Sequence, residues 1–302
     1  MKKAKYFLGV FMFFVLTLCG FRILLSPHSY TDIFDKHFED MTPGKNSSAF
    51  GGFNVQEYDN TKYFIDDSCN LCSKKDNKKK IIIENVENFL LLENELVYTL
   101  FNDEKNVYSI KLQKNSKRAV AHVSAKIFLN SEECLYIYSK DNYLYKYDKN
   151  WGKIETINIK KKGYNGCFER AYVTNDKIVF YTEESDVYVY DVMTYGLQKI
   201  IVPKKFETDF SEETDIIQWD GDIFYMLCYY DDGDMHNSLT RTEYVENGIY
   251  KLDVENRKFM KVSNNVGNFM LIMNNELSVV SDYFFGISYQ VKKVDFVKNN
   301  RR

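Results

Sequence analysis

Proline is scarce in this chain, with three residues in 302, at Pro27, Pro43 and Pro203. That excludes Pro-rich linkers and a collagen-like segment. Histidine is scarce too. The four, His28, His37, His122 and His236, include no two at the spacing of a shared metal site. His28 and His37 read as solvated linker residues and His122 as a structural histidine in a strand that ends a repeat. Charge of one sign is missing: Lys+Arg 40 against Asp+Glu 43 leaves a net charge of -3. Steering toward nucleic acid is therefore not expected. The lysine runs Lys78–Lys80 and Lys160–Lys162 have acid nearby and read as solvated turns. No nucleophile elbow, phosphate loop or dinucleotide fingerprint occurs. Gly51-Gly52 lacks the following helix that phosphate binding needs.

Six cysteines are present: Cys19, Cys69, Cys72, Cys134, Cys167 and Cys228. Cys69 and Cys72 have the spacing of half a zinc site, but no second pair completes a tetrahedron. They read as inert thiols, with a local disulfide the alternative in an oxidising compartment. Cys134 and Cys228 lie in strand patterns and read as small apolar residues. No catalytic, cofactor-binding or metal-binding residue is expected.

Aromatic residues are abundant, 16% of the chain, with 24 Tyr and 23 Phe. Tyr and Phe suit half-buried pleated surfaces, which points to β structure. One long apolar run exists, Tyr6–Phe21, continued after Arg22 by Ile23, Leu24 and Leu25. Lys2, Lys3 and Lys5 precede it. The length fits one membrane-spanning helix, 6–25, with residues 1–5 cytoplasmic and the rest of the chain outside. A cleaved signal peptide or a lipoprotein signal at Cys19 would place the same domain outside. Residues 26–48 read as a juxtamembrane linker, with a short helix over Tyr30–Phe38, and 49–302 as the folded domain.

Within that domain a pattern recurs in which an apolar or aromatic residue alternates with any residue and often ends in Asp. The copies are Leu71–Lys74, Val107–Ile110, Leu144–Asp148, Val187–Asp191, Ile249–Asp253 and Val291–Asp295. Their spacing of roughly forty residues is that of a solenoid or propeller repeat. One longer step carries an insertion at Tyr229–Glu246. Each repeat divides into four short strands. In the third these are Lys126–Leu129, Cys134–Tyr138, Tyr143–Asp148 and Lys153–Ile157. The terminal Asp can hydrogen-bond the turn that it opens. The expected fold is therefore all-β, a six-bladed β-propeller of four-stranded antiparallel blades, preceded by one transmembrane helix. The sixth repeat offers only Phe269–Ile272, Leu277–Val280 and Ser288–Asp295, so Ser48–Gly52 is expected to lie beside it and close the ring.

Tyr63-Phe64-Ile65-Asp66 and Phe180-Tyr181-Thr182-Glu183 resemble the Tyr-Trp-Thr-Asp repeats of low-density-lipoprotein-receptor propellers. With the strand pattern that follows, the chain resembles the bacterial membrane-anchored families that share this propeller. The Trp is absent and the other repeats depart from the motif. The resemblance covers about Ala49 to Lys298 and implies a fold without implying a ligand.

The acidic insertion, with Asp231, Asp232, Asp234 and His236, is the candidate recognition loop, since long loops on a rigid scaffold carry binding. It does not follow the order of a calcium loop and reads as solvated. A second acidic stretch, Glu207–Asp215, is the other loop candidate. The expected function is a non-enzymatic recognition or sensor module on the cell envelope, with a protein or glycan ligand. The alternatives are an extracytoplasmic hydrolase or lyase with its site at the propeller mouth, or a structural subunit of an envelope assembly. Inward-facing polar groups converging from several blades would favour the enzyme.

Overall fold

A computed structural model describes residues 36–44, 54–114, 116–174, 176–203, 211–230, 246–283 and 288–297. Alternating aromatic and β-branched residues build short strands, and turn residues end them, giving six antiparallel sheets. Blade one is β1 (Gln56–Tyr58), β2 (Thr61–Ile65), β3 (Leu71–Lys75) and β4 (Lys78–Ile83). Blade two is β5 (Val86–Leu92), β6 (Glu95–Leu100), β7 (Asp103–Lys111) and β8 (Ser116–Ala121). Blade three is β9 (Ala125–Asn130), β10 (Leu135–Ser139), β11 (Tyr143–Tyr147) and β12 (Lys153–Asn158). Blade four is β13 (Phe168–Thr174), β14 (Lys177–Thr182), β15 (Val187–Asp191) and β16 (Gly196–Ile200). Blade five is β17 (Ser211–Trp219), β18 (Asp222–Tyr230), β19 (Gly248–Asp253) and β20 (Lys258–Ser263). Blade six holds three described strands, β21 (Phe269–Met273), β22 (Glu276–Tyr283) and β23 (Ser288–Lys293). Each expected third strand overlaps an observed one. The Lys78–Lys80 run is not a turn but the start of β4, with its lysines exposed on an outer strand.

Asp at the end of a third strand does hold the turn. Asp148 Oδ1 accepts from the N–H groups of Asn150 and Gly152, each at 2.8 Å. A Cβ at Gly152 would lie 2.4 Å from Asp148 Oδ2, so a side chain there would have to displace this cap. Asp191 Oδ1 accepts from Met193 and Thr194, and Asp253 Oδ1 accepts from Asn256. A second device closes the turn after the second strand. The N–H four residues on donates to Asp66 in blade one, Ser139 in blade three and Thr182 in blade four. Asp66 and Thr182 therefore hold the same place, so the two Tyr-Trp-Thr-Asp-like segments are offset by one residue. Thr182, not Glu183, takes the capping position.

First strands of neighbouring blades lie side by side: β1 beside β5, β5 beside β9, β9 beside β13 and β17 beside β21. Apolar clusters fill the seams. Tyr138, Phe168, Phe180 and Tyr190 are fully buried between blades three and four, and Tyr225 lies fully buried between four and five. Comparable clusters join blades one to two, two to three, and five to six. At the remaining seam, blade six has its own cluster, and a separate one gathers Phe38, Met41, Val55, Phe64 and Cys72.

Residues 36–44 occupy that last seam. They fall in the stretch that reads as linker, yet Phe38 and Met41 are 3% and 4% exposed. Among the described residues of the segment expected to be helical, Lys36 and His37 are helical and a 3-10 turn follows at Phe38–Asp40. Met41 bridges Met273 antiparallel, flanked by bonds from Thr42 N to Ile272 O and from Asn274 N to Asp40 O. Gly44 N then donates to Val55 O at 2.7 Å. The chain thus climbs between β21 and β1. Ser48–Gly52, expected beside blade six, lies outside the described residues. The described segment that closes the ring is 40–42, and it pairs with the inner strand β21 rather than with β23, the outermost described strand of blade six.

Candidate functional site

The end of the ring where first strands begin is called upper here, and the end where they finish is lower. Blade-to-blade connections and the turns between second and third strands lie at the upper end. Turns between first and second strands lie at the lower end.

A set of polar side chains is carried on or just ahead of the first strands. In the strand pairing, Phe89 faces Tyr98, Ile127 faces Tyr138, Ala171 faces Phe180 and Ile216 faces Tyr225. The preceding residues are Asn88, Lys126, Arg170 and Asp215, and Asn54 stands just ahead of β1. Each reaches the next blade. Asn54 Nδ2 donates to Phe89 O at 3.3 Å and Asn88 Nδ2 to Lys126 O at 2.8 Å. Lys126 Nζ donates to Glu169 Oε1 at 2.6 Å and lies 3.2 Å from Cys167 Sγ. Arg170 donates to Asp215 Oδ1 and, at 3.1 Å, to Ile216 O. Asp215 Oδ2 accepts from Met270 N at 2.6 Å. The series runs from blade one to blade six. Gln56 adds a parallel link by accepting from Leu91 N at 2.5 Å.

These links favour the charged forms of Arg170 and Lys126. Burial would lower the Arg170 pKa, but the adjacent Asp215 carboxylate reverses this and raises it. Burial likewise opposes the charge on Lys126, and the bonds to Glu169 and Cys167 more than offset it. Buried Tyr172, whose hydroxyl donates to Ile216 O at 2.8 Å, has its pKa raised, first by desolvation. A general acid or base near pH 7 needs a group with a nearby pKa and a free path to substrate. Arg170 and Lys126 are instead held charged by groups of the neighbouring blade.

At the upper end, Lys140 bridges Glu87 at 2.7 Å and Glu104 at 3.3 Å, across blades two and three. At the lower end, a cavity of about 480 Å³ is lined by Thr42–Gly44, Gln218–Gly221, Ile272 and Asn275. Beside it, one of about 620 Å³ spans blades three to five and includes Glu132, Glu133, Lys146 and Asp176. An 870 Å³ groove separates β16 from blade five, and Ile201 stands 91% exposed along it.

The candidate loop residues Asp231, Asp232, Asp234 and His236 lie outside the described residues. Their connection leaves β18 at Tyr230 and returns at Glu246, joining the second and third strands of blade five at the upper end. Asn247 brackets the exit, accepting from Tyr229 N at 2.6 Å and donating to Tyr229 O at 2.9 Å. The second acidic stretch is only partly a connection: Ser211–Asp215 is the start of β17. Its Asp215 is 1% exposed and structural, so it is not a recognition residue. The inner-strand series carried no sequence motif, because amide, ammonium, guanidinium and carboxylate all perform the same role in it.

Cys69, Cys72, Cys134 and Cys167 are free thiols, and Cys228 is buried in a small cluster with Val266. Burial, and then the Asp66 carboxylate 3.4 Å away, push the Cys72 thiol up to about 12. His122, just past β8, is exposed and bonded to Asn106 at 2.6 Å, and His37 lies 3.7 Å from Asp40. Among the described residues, no group of three His, Cys, Asp or Glu is placed to hold a metal, and no helix is long and apolar enough to cross a membrane.

No family model matches the chain, and no curated protein matches it by sequence. Its similarity is to solved propeller structures. The extracellular domain assigned to the hybrid two-component system BT3049 from B. thetaiotaomicron aligns over 88% of this chain, with a TM-score of 0.50 and 8% identity. The alignment spans 36% of that protein's chain. BamB from Moraxella catarrhalis aligns over 80% of this chain and 72% of its own, at 10% identity and a TM-score of 0.45. The WD40 propeller domain of Doa1 aligns over 84% and 81%, at 14% identity and a TM-score of 0.47. Identities this low speak to fold alone. The class is that of an all-β, six-bladed propeller built from four-stranded antiparallel blades.

Proposed function

We propose that this chain is a non-enzymatic recognition module, held on the outer side of a membrane by one N-terminal anchor over residues 6–25. The observation that carries the reading is the commitment of Asn54, Asn88, Lys126, Arg170 and Asp215 to neighbouring blades. In this reading these polar groups tie each blade to the next rather than converging on a substrate. A rigid ring suits the display of connections, and the 231–245 connection with Asp231, Asp232, Asp234 and His236 is the recognition element in this reading. Its ligand is a protein or a glycan.

The anchor reading rests on the apolar run after Lys2, Lys3 and Lys5. The kinship with membrane-anchored propellers of the Tyr-Trp-Thr-Asp type rests on Asp66, whose Oδ1 accepts from Ser68 N and Asn70 N. Two experiments test the proposal. Carbonate extraction should leave the full-length chain in the membrane pellet, and protease added to intact cells should reach the propeller; release or protection would contradict it. Capture from crosslinked, solubilised membranes should recover an envelope protein or glycan. That partner should be lost when 231–245 is replaced by an Asn-Gly turn. Undiminished recovery would remove this connection from the binding surface.

A further inference from the structure

The path of residues 36–44 bears on which end of the propeller faces the membrane. Phe38 packs edge-on against Phe64 of β2 at 4.8 Å, with the Lys62 and Lys74 ammonium groups 5.3 and 4.5 Å from its ring centre. Lys62 lies near the start of β2 and Lys74 near the end of β3, so both sit at the lower end. Lys62 Nζ also donates to the carbonyls of Phe38 and Glu39, at 3.1 and 2.9 Å. From this attachment the chain climbs inward past Met273 toward Val55. Glu39 and Asp40 therefore lie at the lower end, in the seam between blades six and one.

We infer that the lower end of the propeller is its membrane-proximal face and the upper end points away from the bilayer. The inference rests on the anchored reading above. Only residues 26–35 separate the apolar run from Lys36. Ten residues span roughly 35 Å at full extension. Turning the upper end toward the bilayer would lead this segment outward past two strand spacings, about 10 Å, and then up a blade of about 20 Å. Nearly the whole segment would be stretched taut along the outer wall, at a large cost in chain entropy. With the lower end down, no such detour is needed to reach the bilayer. The upper surface, from which Tyr230 and Glu246 lead into the long connection of blade five, is then presented to partners outside the cell.

The two ends of β10 supply matched reporters. Glu132 is exposed in the turn before β10, at the lower end, and Asp141 is exposed in the turn after it, at the upper end. The full-length chain, carrying a click-reactive amino acid at one position or the other, is labelled with a donor dye. It is then reconstituted into zwitterionic vesicles with an acceptor dye on the lipid headgroups. Energy transfer to the lipid should be severalfold faster from position 132 than from position 141. Vesicle-bound chain with equal or inverted transfer would overturn the orientation while leaving the anchor in place. Chain that floats free of the vesicles would overturn the anchor and the orientation with it.

Discussion

Replacing Phe38 with alanine should weaken the ring at its closing seam. The side chain is 3% exposed and sits with Met41, Val55, Phe64 and Cys72 in a cluster separate from the core of blade six. Truncating a buried Phe costs about 3–5 kcal/mol when the site cannot collapse. Lost contact with the two lysines adds less, about 0.5–1 kcal/mol, because they are partly solvated. The segment can also detach once its anchor is gone, which puts the expected loss near the lower bound, about 3 kcal/mol. Urea unfolding of the full chain in mild detergent, followed by tryptophan fluorescence, reads this directly. With a slope of about 3 kcal/mol per molar for a domain of this size, the midpoint should fall by about 1 M. Met193→Ala, at a side chain 72% exposed, is the control and should shift stability by less than about 0.5 kcal/mol. A Phe38→Ala midpoint matching that control would show that 36–44 is not part of the cooperative domain.

Three further outcomes are expected. Asp215→Ala leaves Arg170 and Met270 N without their partner in the buried inner ring and should cost about 3–5 kcal/mol, measured by the same unfolding; a cost below about 1 kcal/mol would refute the inter-blade role. Burial opposes ionisation of Asp66, but the Lys79 ammonium, the Asn70 N–H and the Cys72 thiol outweigh it and hold its pKa at about 2. Because that value lies below the unfolded one, near 3.9, the stabilisation is full above about pH 4 and fades as pH falls toward 2. Asp66→Asn should therefore cost roughly 1–2 kcal/mol at pH 7, after allowance for partial exposure, and almost nothing at pH 2; a pH-independent cost would contradict this. Cys72, with its thiol pushed up to about 12, should resist alkylation at pH 8 in the native protein and react once unfolded; rapid native labelling, located by peptide mapping, would show that the Asp66 turn is open.

The sequence pattern locates the third strands well, because their alternation and terminal Asp are fixed by two local demands. One face must be buried, and the turn N–H groups need an acceptor, as at Asp148, Asp191 and Asp253. Lys78–Lys80 misleads, because an outer strand with an exposed face has the composition of a turn. The inner ring of Asn54, Asn88, Lys126, Arg170 and Asp215 has no common residue type, so only the assembled channel relates its members. Residues 36–44 belong to no repeat, and their burial depends on the gap between blades six and one, a property of the closed ring. The acidic stretch ending at Asp215 reads as a loop for the same reason. Its last carboxylate is buried only because Arg170 and Met270 N arrive from neighbouring blades.

Ring closure by the N-terminal segment is the claim on which the rest depends, and a paired-cysteine test addresses it directly. Met41 and Met273 face each other across an antiparallel bridge whose hydrogen bonds lie to either side of the pair. Facing residues of that kind sit about 4.5 Å apart at Cα, within the span that a disulfide bridges. The double variant Met41→Cys and Met273→Cys should form an intramolecular bond under mild oxidation. It should then migrate faster on a nonreducing gel, while either single variant does not. Failure to crosslink, or bonds only between molecules, would contradict closure of the propeller between blades six and one.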